Sequence, residues 1–374
     1  MKILYVTTIG VTMHFFESFI QSLIEEGHTV DIATNEMEGE RPVPGIYKEL
    51  GCKVFHIPCT RSPLDKSNLQ AVKILRELVE KGQYDIVHCH TPIAAACTRL
   101  ACRKLRKNGL KVFYTAHGFH FYMGAPLKNW LVFYPIEKIC SYWTDLLITI
   151  NEEDYRLSQR KLNAKQFALV NGVGIDLRNF AKPEPAQMQK IMEELNLPQD
   201  AILLVSVGEL NANKNHSTVI KALAKITDQR LHYAIAGRGA KREELIALAQ
   251  ELGIGERVHL LGYRRDIPLL YAVADICVFP SIREGQGLAA VEGMASGLPL
   301  IASNNRGTRG FLTEKNALIC PYNDVNCFAE AIKILADDAD LRARMGSENL
   351  ALSKQFDVSV INEKMWALYK NQQV

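Results

Sequence analysis

Two glutamates eight positions apart stand where a predicted strand leads into a predicted helix. Glu284 follows the apolar run ICVFPS, and Glu292 lies about one turn into the helix. Between them, Gly287 and Leu288 offer backbone amides at the helix N-terminus, where the helix dipole favours a phosphate. Carboxylates accept hydrogen bonds from sugar hydroxyls. The spacing therefore predicts a diphosphate with a sugar on each side; the alternative is that Glu284 caps the helix and Glu292 is solvated.

Two further polar loops follow predicted strands in the same half of the chain. In VSVGELNANKNH, Gly208 ends a strand and Lys214 supplies a point charge suited to a diphosphate. In AIAGRGAKREEL, Arg238 lies between two glycines, and the segment lacks the third glycine of a dinucleotide fingerprint. These loops predict a second and a third contribution of positive charge to the same ligand.

Histidines mark the ends of two predicted strands in the first half. His117 ends VFYTAH before Gly118, so its side chain is predicted to reach a ligand from the carboxyl end of a parallel sheet. The alternative is a histidine satisfied by local hydrogen bonds. His90 ends DIVHCH and is a candidate for the acceptor side, whereas His120 belongs there or only shapes its loop.

The segment from Arg283 to Glu292 resembles the paired-glutamate signature of family-four GT-B glycosyltransferases, and the likeness covers nearly the whole chain. The runs VHCHTPIAAA, FYTAHGFHFYMGAPLKNWLVFYPIEKICS and LITINEEDY are similar to bacterial transferases of capsular and exopolysaccharide assembly. The resemblance implies an α/β GT-B fold, with two facing Rossmann-like doubly wound domains and a cleft between them. It also implies a nucleoside diphosphate sugar donor in the C-terminal domain, most commonly a UDP-sugar, and a glycan acceptor in the N-terminal domain.

The family's functional residues can be carried over position by position. The resemblance places Glu284 and His117 on the donor sugar as catalytic residues, and Glu292 on the ribose. The segment LLGYRRDIPLLY looks like the strand and loop against which the base lies. The expected donor-binding residues are Gly208, Lys214, Arg238, Tyr263, Arg264, Gln286, Gly287, Leu288 and Glu292. The expected acceptor-side residues are Gly10, His90 and His120. Relatives commonly carry an arginine where this chain has Glu209, so one phosphate contact is missing or supplied elsewhere.

The mechanism that the resemblance implies is transfer of a hexose or N-acetylhexosamine with retained anomeric configuration. The departing diphosphate helps to remove the acceptor proton, while Lys214 and helix amides stabilise its charge without a metal or cofactor. Two alternatives remain open: a catalytically silent subunit that binds sugar nucleotides, and a sugar-nucleotide epimerase on the same fold. A nicotinamide dehydrogenase is disfavoured, because TTIGVTMHF replaces the glycine fingerprint after the first strand.

The order of apolar runs predicts two sheets. Apolar runs alternate with amphipathic segments throughout, which is typical of parallel strands covered by helices. Seven strands are predicted by Val170, and a connection rich in glycine and proline follows it. Six more runs are predicted as strands, namely 202–208, 233–237, 258–262, 276–280, 300–303 and 317–320. We expect domains at 1–172 and 173–357, with a C-terminal helix at 358–374 packing back on the first.

Composition narrows the functional class. The 374 residues carry a formal net charge of +3, which is small for this length, and no nucleic-acid-reading motif is present. The nine cysteines include no C-x-x-C pair, which favours a reducing cytosol. No secretory signal is recognised at the N-terminus, and no apolar run approaches the ~18 to 20 residues that cross a bilayer. Any membrane contact is therefore expected to be peripheral.

A peripheral contact is predicted at the inner face of the cell membrane, where a lipid diphosphate-linked acceptor would lie. Four basic residues fall largely on one face of the helix after Pro92, and the apolar-aromatic stretch FYMGAPLKNWLVFY follows. The predicted membrane-facing residues are Arg99, Arg103, Arg106 and Lys107. The alternative is that the aromatic rings are core residues and the charges are solvated.

Overall fold

The computed structural model describes residues 1–36 and 42–371, and the chain forms two compact units. The first unit comprises Met1–Val173 together with the C-terminal residues from Ile361, and the second unit is Gly174–Val360. Each unit is built on its own parallel β-sheet with helices on both faces.

The first unit contains seven strands: β1 (Lys2–Ile9), β2 (Thr29–Asn35), β3 (Val54–His56), β4 (Ile86–His90), β5 (Lys111–Ala116), β6 (Leu146–Thr149) and β7 (Gln166–Leu169). They are connected by helices α1 (Glu17–Glu25), α2 (Ile46–Glu49), α3 (Ser67–Gly82), α4 (Pro92–Cys102), α5 (Leu127–Ser141) and α6 (Glu152–Lys161). The sheet order is β3-β2-β1-β4-β5-β6-β7, and every recorded pairing is parallel. The order reverses between β1 and β4, so the loops that leave these two strands diverge to opposite faces and open a crevice at their carboxyl ends.

The second unit contains six strands: β8 (Ile202–Val207), β9 (Leu231–Ala236), β10 (Val258–Gly262), β11 (Ile276–Phe279), β12 (Leu300–Ser303) and β13 (Ala317–Cys320). Its helices are α7 (Pro185–Leu195), α8 (His216–Ala224), α9 (Arg242–Glu251), α10 (Ile267–Ala272), α11 (Leu288–Ala295), α12 (Val325–Asp337) and α13 (Ala339–Ser353). The order β10-β9-β8-β11-β12-β13 reverses between β8 and β11. The prediction of two doubly wound parallel sheets is thereby confirmed.

The last helix, α14 (Val358–Lys370), adds its later residues to the core of the first unit. Tyr369 is fully buried there, and its hydroxyl lies 2.6 Å from Nδ1 of His88 and 3.1 Å from the hydroxyl of Tyr5. The other ring nitrogen of His88 lies 2.8 Å from Oγ1 of Thr115. A continuous chain of buried polar contacts therefore joins the C-terminal helix to β1, β4 and β5.

One predicted membrane-facing residue is an interior residue instead. Arg99 is fully buried between α4 and α5, where Nη1 lies 2.8 Å from Oε2 of Glu137 and the guanidinium stacks over the ring of Tyr114. Arg106 is also paired within the protein, because its guanidinium donates two 2.7 Å hydrogen bonds to the carboxylate of Asp145. The expectation that Arg99 faces a membrane was wrong, because a carboxylate on α5 draws its charge inward.

The aromatic residues of α5 are likewise packed against the core of the first unit. Trp130, Phe133 and Tyr134 contact its apolar cluster, and the ring of Trp130 lies 5.5 Å from that of Phe121. The core alternative for these rings is therefore the correct one. Among residues 1–36 and 42–371, no helix is both long enough and apolar enough to cross a membrane.

We predict that Tyr369→Phe lowers the free energy of unfolding of the first unit by about 1–3 kcal/mol, because it leaves buried polar atoms of His88 and Tyr5 less satisfied. Urea unfolding followed by far-UV circular dichroism measures the change. Tyr142→Phe, at a tyrosine that is 61% exposed, is the matched control and should leave the transition unmoved. Equal midpoints for wild type and Tyr369→Phe would contradict the stabilising role of this hydroxyl.

Candidate active site

The centre of the candidate site in the second unit is an ion pair at the point where the strand order reverses. Nζ of Lys214, in the loop after β8, lies 2.8 Å from Oε1 of Glu284, in the loop after β11. The two side chains are 22% and 17% exposed, so the pair is partly shielded from water. Nζ also lies 5.7 Å from the ring centroid of Phe279, the last residue of β11. The two residues that sequence reasoning placed on diphosphate and sugar are therefore neighbours.

Glycines allow the loops after β8 and β9 to approach each other. A Cβ built on Gly237 would lie 1.8 Å from the carbonyl oxygen of Gly208, and one on Gly239 would lie 2.3 Å from that of Leu210. A Cβ on Gly208 would lie 3.1 Å from Cε of Lys214. Any side chain at 237 or 239 would push the loop that carries Lys214 out of place.

The loop that carries Glu284 is fixed from two sides. The side-chain amide of Asn213 donates to the carbonyl of Arg283 over 2.8 Å, and the amide of Ile282 donates to the carbonyl of Asn213 over 2.8 Å. From the other side, Gly307 packs so closely that a Cβ there would lie 2.8 Å from Cβ of Glu284. The position of the carboxylate is therefore set by backbone contacts as well as by Lys214.

The turn into α11 is formed by a glycine in the left-handed region. Gly287 has φ +81° and packs against Phe279 and Thr308, so that a side chain there would be both strained and crowded. Gln286 is buried, and Leu288 begins the helix. The first amides of this eight-residue helix lie next to the loop that carries Glu284. That they bind a phosphate stays a prediction.

Glu292 lies in an environment that disfavours its charge. Burial raises the pKa of its carboxyl to about 7, while the positive charge of Lys214 and the neighbouring hydroxyl of Tyr271 act in the opposite direction. The structure therefore brings Lys214, Glu284 and Glu292 into one electrostatic cluster. Glu292 is not a solvated surface residue, so that alternative does not hold.

The remaining candidates of the second unit lie at its surface or are already paired. Arg238 is exposed, and its guanidinium lies 5.4 Å from the ring of Tyr263, which is also exposed. Arg264 forms ion pairs with Glu194 and Asp266, which raise the pKa of its guanidinium. Arg264 therefore joins α7 to the loop after β10, and its charge is already compensated.

In the first unit, the histidines at the ends of β4 and β5 contact each other. Nδ1 of His90 lies 3.1 Å from Nε2 of His117, and the ring of Phe16 packs beside both. Burial lowers the pKa of His117 to about 4 and that of His90 well below its ordinary value. Both rings are therefore neutral at physiological pH, and neither is available as a cation.

The ends of β1 and β4 are joined by a residue in an unusual conformation. Thr91 has φ +63°, which is uncommon for a β-branched residue, and its hydroxyl accepts from the amide of Thr8 over 3.1 Å. Gly10 is buried just beyond the end of β1. His120 stacks on Phe133 of α5, with the rings 4.4 Å apart.

Some residues of these clusters were not identified from the sequence. The hydroxyl of Tyr271, on α10, donates to the carbonyl of Ala289, three residues before Glu292 on α11. Phe279 lies beneath Lys214, and Arg306 is buried in the loop whose next residue, Gly307, contacts Glu284. The strand end ICVFPS and the glycine-flanked arginine in NNRGTRG were visible signals for the last two. Tyr271 gave no signal, because a tyrosine in a short apolar helix resembles an ordinary core residue.

Comparisons with known proteins give the family. Residues 187–350 match the family model described as "Glycosyl transferases group 1", and residues 2–151 match that described as "Glycosyl transferase 4-like". The protein EpsD of Bacillus subtilis (strain 168), named as a glycosyltransferase, is 36% identical over 373 residues, which cover 98% of this chain and 96% of EpsD. The chain belongs to the group 1 glycosyltransferases.

More distant relatives of this glycosyltransferase agree. The Escherichia coli UDP-Gal:alpha-D-GlcNAc-diphosphoundecaprenol alpha-1,3-galactosyltransferase is 29% identical over 304 residues, covering 78% of this chain and 77% of that one. The crystal structure of Anabaena Alr3699/HepE in complex with UDP and glucose superposes with a TM-score of 0.82 at 19% identity, covering 99% of this chain and 100% of that one. The glycosyltransferase is therefore of the GT-B type, as predicted.

If Glu292 holds the ribose, as the resemblance implies, we predict that UDP binding weakens about tenfold between pH 8 and pH 6. The Glu292 carboxyl, with a pKa of about 7, becomes protonated over this range and would accept ribose hydroxyls less well. Isothermal titration calorimetry of wild type and Glu292→Gln measures it. The terminal phosphate of UDP also titrates near pH 6, so the variant gives the reference slope. Identical slopes for the two proteins would remove Glu292 from the ribose.

Proposed function

We propose that this glycosyltransferase moves a hexose or N-acetylhexosamine from a UDP-sugar, with retained anomeric configuration and without a metal ion, to a lipid-linked glycan. The acceptor belongs to capsular, exopolysaccharide or related surface-glycan assembly. The observation that carries the donor half of this proposal is the cluster of Lys214, Glu284 and Glu292 beside the N-terminus of α11. A diphosphate flanked by two sugars is the ligand that fits one cation, free helix amides and two carboxylates.

The chemistry follows from where the charges lie. As the anomeric bond breaks, negative charge grows on the leaving diphosphate, and Lys214 with the first amides of α11 stabilises it. Glu284 accepts from sugar hydroxyls and so orients the ring, and Glu292 holds the ribose. The departing diphosphate removes the acceptor proton as the new glycosidic bond forms on the same face of the sugar, so that no base from the protein is required.

Binding of the donor adds contacts to the ion pair of Lys214 and Glu284 without having to break it. Lys214 donates to Glu284, and a diphosphate would compete for the same ammonium. The exchange is favourable because Lys214 has three donors, so that it can contact a phosphate oxygen while one donor stays on Glu284. Glu284 in turn has four lone-pair directions and can accept sugar hydroxyls as well.

The donor and acceptor classes take support from the relatives. The Escherichia coli relative is named for UDP-Gal and a diphosphoundecaprenol-linked acceptor, and the Anabaena structure holds UDP and glucose. For this chain, a uridine nucleotide and a lipid diphosphate acceptor are the corresponding proposals.

The membrane half of the proposal rests on α5 and the loop before it. Leu127 and Leu131 are 73% and 68% exposed, and exposed apolar side chains continue along the helix. The full set in this segment is Met123, Leu127, Leu131, Val132, Ile139 and Tyr142, which we call the α5 apolar face. Exposed apolar residues of this size in one segment mark an interaction surface rather than ordinary surface scatter.

Charge around the α5 apolar face favours an anionic lipid surface. Arg103 lies over the ring of Trp143 just beyond the end of α5, and Lys104 and Lys107 are exposed beside it. Between His120 and Trp143 the sequence contains a single acidic residue, Glu137, which is buried against Arg99. The buried ion pair therefore removes the one negative charge from a surface that would face anionic headgroups.

For the chemistry, we predict that Glu284→Gln retains UDP affinity within about threefold, since Lys214 keeps its charge, yet loses at least about a hundredfold in kcat because the sugar is no longer oriented. Calorimetry and product chromatography measure the two effects. Glu243→Gln, at an exposed carboxylate on α9, is the control.

NMR of the product should show the donor's anomeric configuration, and activity should survive chelation; an inverted product or a strict divalent-ion requirement contradicts the mechanism.

For the membrane, we predict that wild type sediments with anionic vesicles at low salt and that Leu127→Ser combined with Leu131→Ser abolishes this. Leu64→Ser combined with Leu69→Ser removes two exposed leucines elsewhere in the first unit, at 91% and 71% exposure, and should change nothing. Phosphatidylcholine vesicles should retain much less protein, because each basic side chain near an anionic leaflet contributes ~1 kcal/mol. If wild type does not bind anionic vesicles, a soluble glycan acceptor is favoured. If the protein forms concentration-dependent dimers that the Leu127→Ser and Leu131→Ser variant disrupts, the α5 apolar face binds a second copy instead.

A further inference from the structure

The hydrogen bond between His90 and His117 can form with either ring as the donor, and the surroundings of His90 distinguish the two cases. The 3.1 Å separation of Nδ1 of His90 and Nε2 of His117 is a hydrogen bond only if one nitrogen carries a proton and the other a lone pair. In one arrangement His90 donates from Nδ1, and in the other His117 donates from Nε2. The two arrangements give His117 opposite chemical properties at its remaining nitrogen.

The ring of His90 is held in place by its neighbours. It is 2% exposed, stacks on Tyr5 with the ring centroids 5.4 Å apart, and has Phe16 and His88 each 4.2 Å away. Strand pairing of His90 with Thr115, two residues before His117, fixes the backbone on both sides of the contact. The orientation of the ring is therefore set by packing.

The other nitrogen of His90 distinguishes the two arrangements. Within residues 1–36 and 42–371, Nε2 of His90 is buried and has no hydrogen-bond partner. If His117 donated, neutral His90 would carry its proton on Nε2 as a buried N–H without an acceptor. Such orphaned donors are rarer than under-satisfied acceptors in native structures, and each costs about 1–3 kcal/mol. If His90 donates from Nδ1, Nε2 is a bare lone pair among aromatic rings.

The arrangement in which His90 donates leaves His117 with its proton on Nδ1. Nε2 of His117 is then occupied as an acceptor, and Nδ1 makes no hydrogen bond among the described residues. Gly118, with φ +134°, follows immediately in a backbone conformation that favours glycine. His117 would therefore present a single N–H to whatever approaches it.

A histidine partner differs from the carboxylate that usually orients a functional histidine. A carboxylate would favour the charged imidazolium, whereas burial disfavours a second proton on both rings of this pair, and the neighbouring rings of His88 and His117 add to that effect at His90. His117 is consequently held neutral. A neutral ring offers a donor without adding a positive charge that would compete for the diphosphate.

We infer that His90 is a positioning residue that fixes His117 in the tautomer protonated at Nδ1, so that His117 acts as a neutral hydrogen-bond donor to the donor sugar and not as a base. The inference rests on the proposed role of His117 in sugar transfer, but the tautomer itself is a property of the free enzyme. It assigns His90 a role in orienting His117 rather than in acceptor recognition.

The decisive experiment is NMR of the enzyme labelled with ¹⁵N-histidine, with the His117 signals assigned by their loss in His117→Gln. Two-bond couplings from the ring carbon protons show which nitrogen carries the proton. We expect protonation at Nδ1 of His117 in wild type, unchanged from pH 6 to pH 8. A proton on Nε2 in wild type overturns the inference, whatever the activity of the enzyme proves to be.

Two variants at His90 separate positioning from packing. His90→Asn places an amide donor near the position of Nδ1 and should keep His117 protonated at Nδ1, with kcat within about threefold of wild type. His90→Leu removes the donor; we expect a mixture of His117 tautomers and a kcat about 10- to 100-fold lower, with the donor KM changed less than about threefold. An unchanged tautomer in His90→Leu, or equal kcat losses in both variants, contradicts positioning. Loss of all transfer in wild type would defeat the proposed function but leave the tautomer result standing.

Discussion

Parallel strand pairing, with one reversal of strand order in each sheet, is the constraint on which both halves of this enzyme depend. Because the strands of each sheet run parallel, every strand-to-helix loop leaves at the same edge. Where the order reverses, loops from two adjacent strands turn to opposite faces and leave room for a ligand. In the second unit that point lies between β8 and β11, where Lys214 and Glu284 meet. In the first unit it lies between β1 and β4, where Thr8 and Thr91 bond and His90 begins the histidine pair.

Several features at the two points where the strand order reverses are unfavourable for folding alone. A partly buried ion pair is expensive to desolvate and adds little net stability. A left-handed glycine at 287, a strained Thr91 and an acid with a raised pKa at 292 are also unfavourable for folding alone. Unfavourable groups of this kind concentrate at ligand sites.

The architecture could be predicted because each strand is encoded locally. The apolar runs that became strands are continuous and rich in β-branched residues, as both faces of a parallel sheet require. Site residues next to strand ends, such as Glu284 and His117, could be predicted for the same reason. The burial of Arg99 could not be predicted, because helical spacing groups it with Arg103. In the structure α4 ends at Cys102, and the partner of Arg99 lies 38 residues away on α5. The tautomer of His117 depends on packing around His90 from β1, on which no local pattern bears.

The place of the last helix has a consequence for how the chain is made. The hydroxyl of Tyr369 reaches His88 across 281 positions of sequence, so the core of the first unit includes residues that are synthesised after the whole second unit. At about 5–20 residues per second, the second unit takes on the order of 10–40 s to synthesise, during which the first unit lacks its final helix. The apolar surface that Ile361 and Tyr369 later cover stays open throughout that interval. During synthesis the two units can therefore finish in the reverse of their order along the chain: the second can close its own sheet first, and the first becomes complete only after α14 has been made.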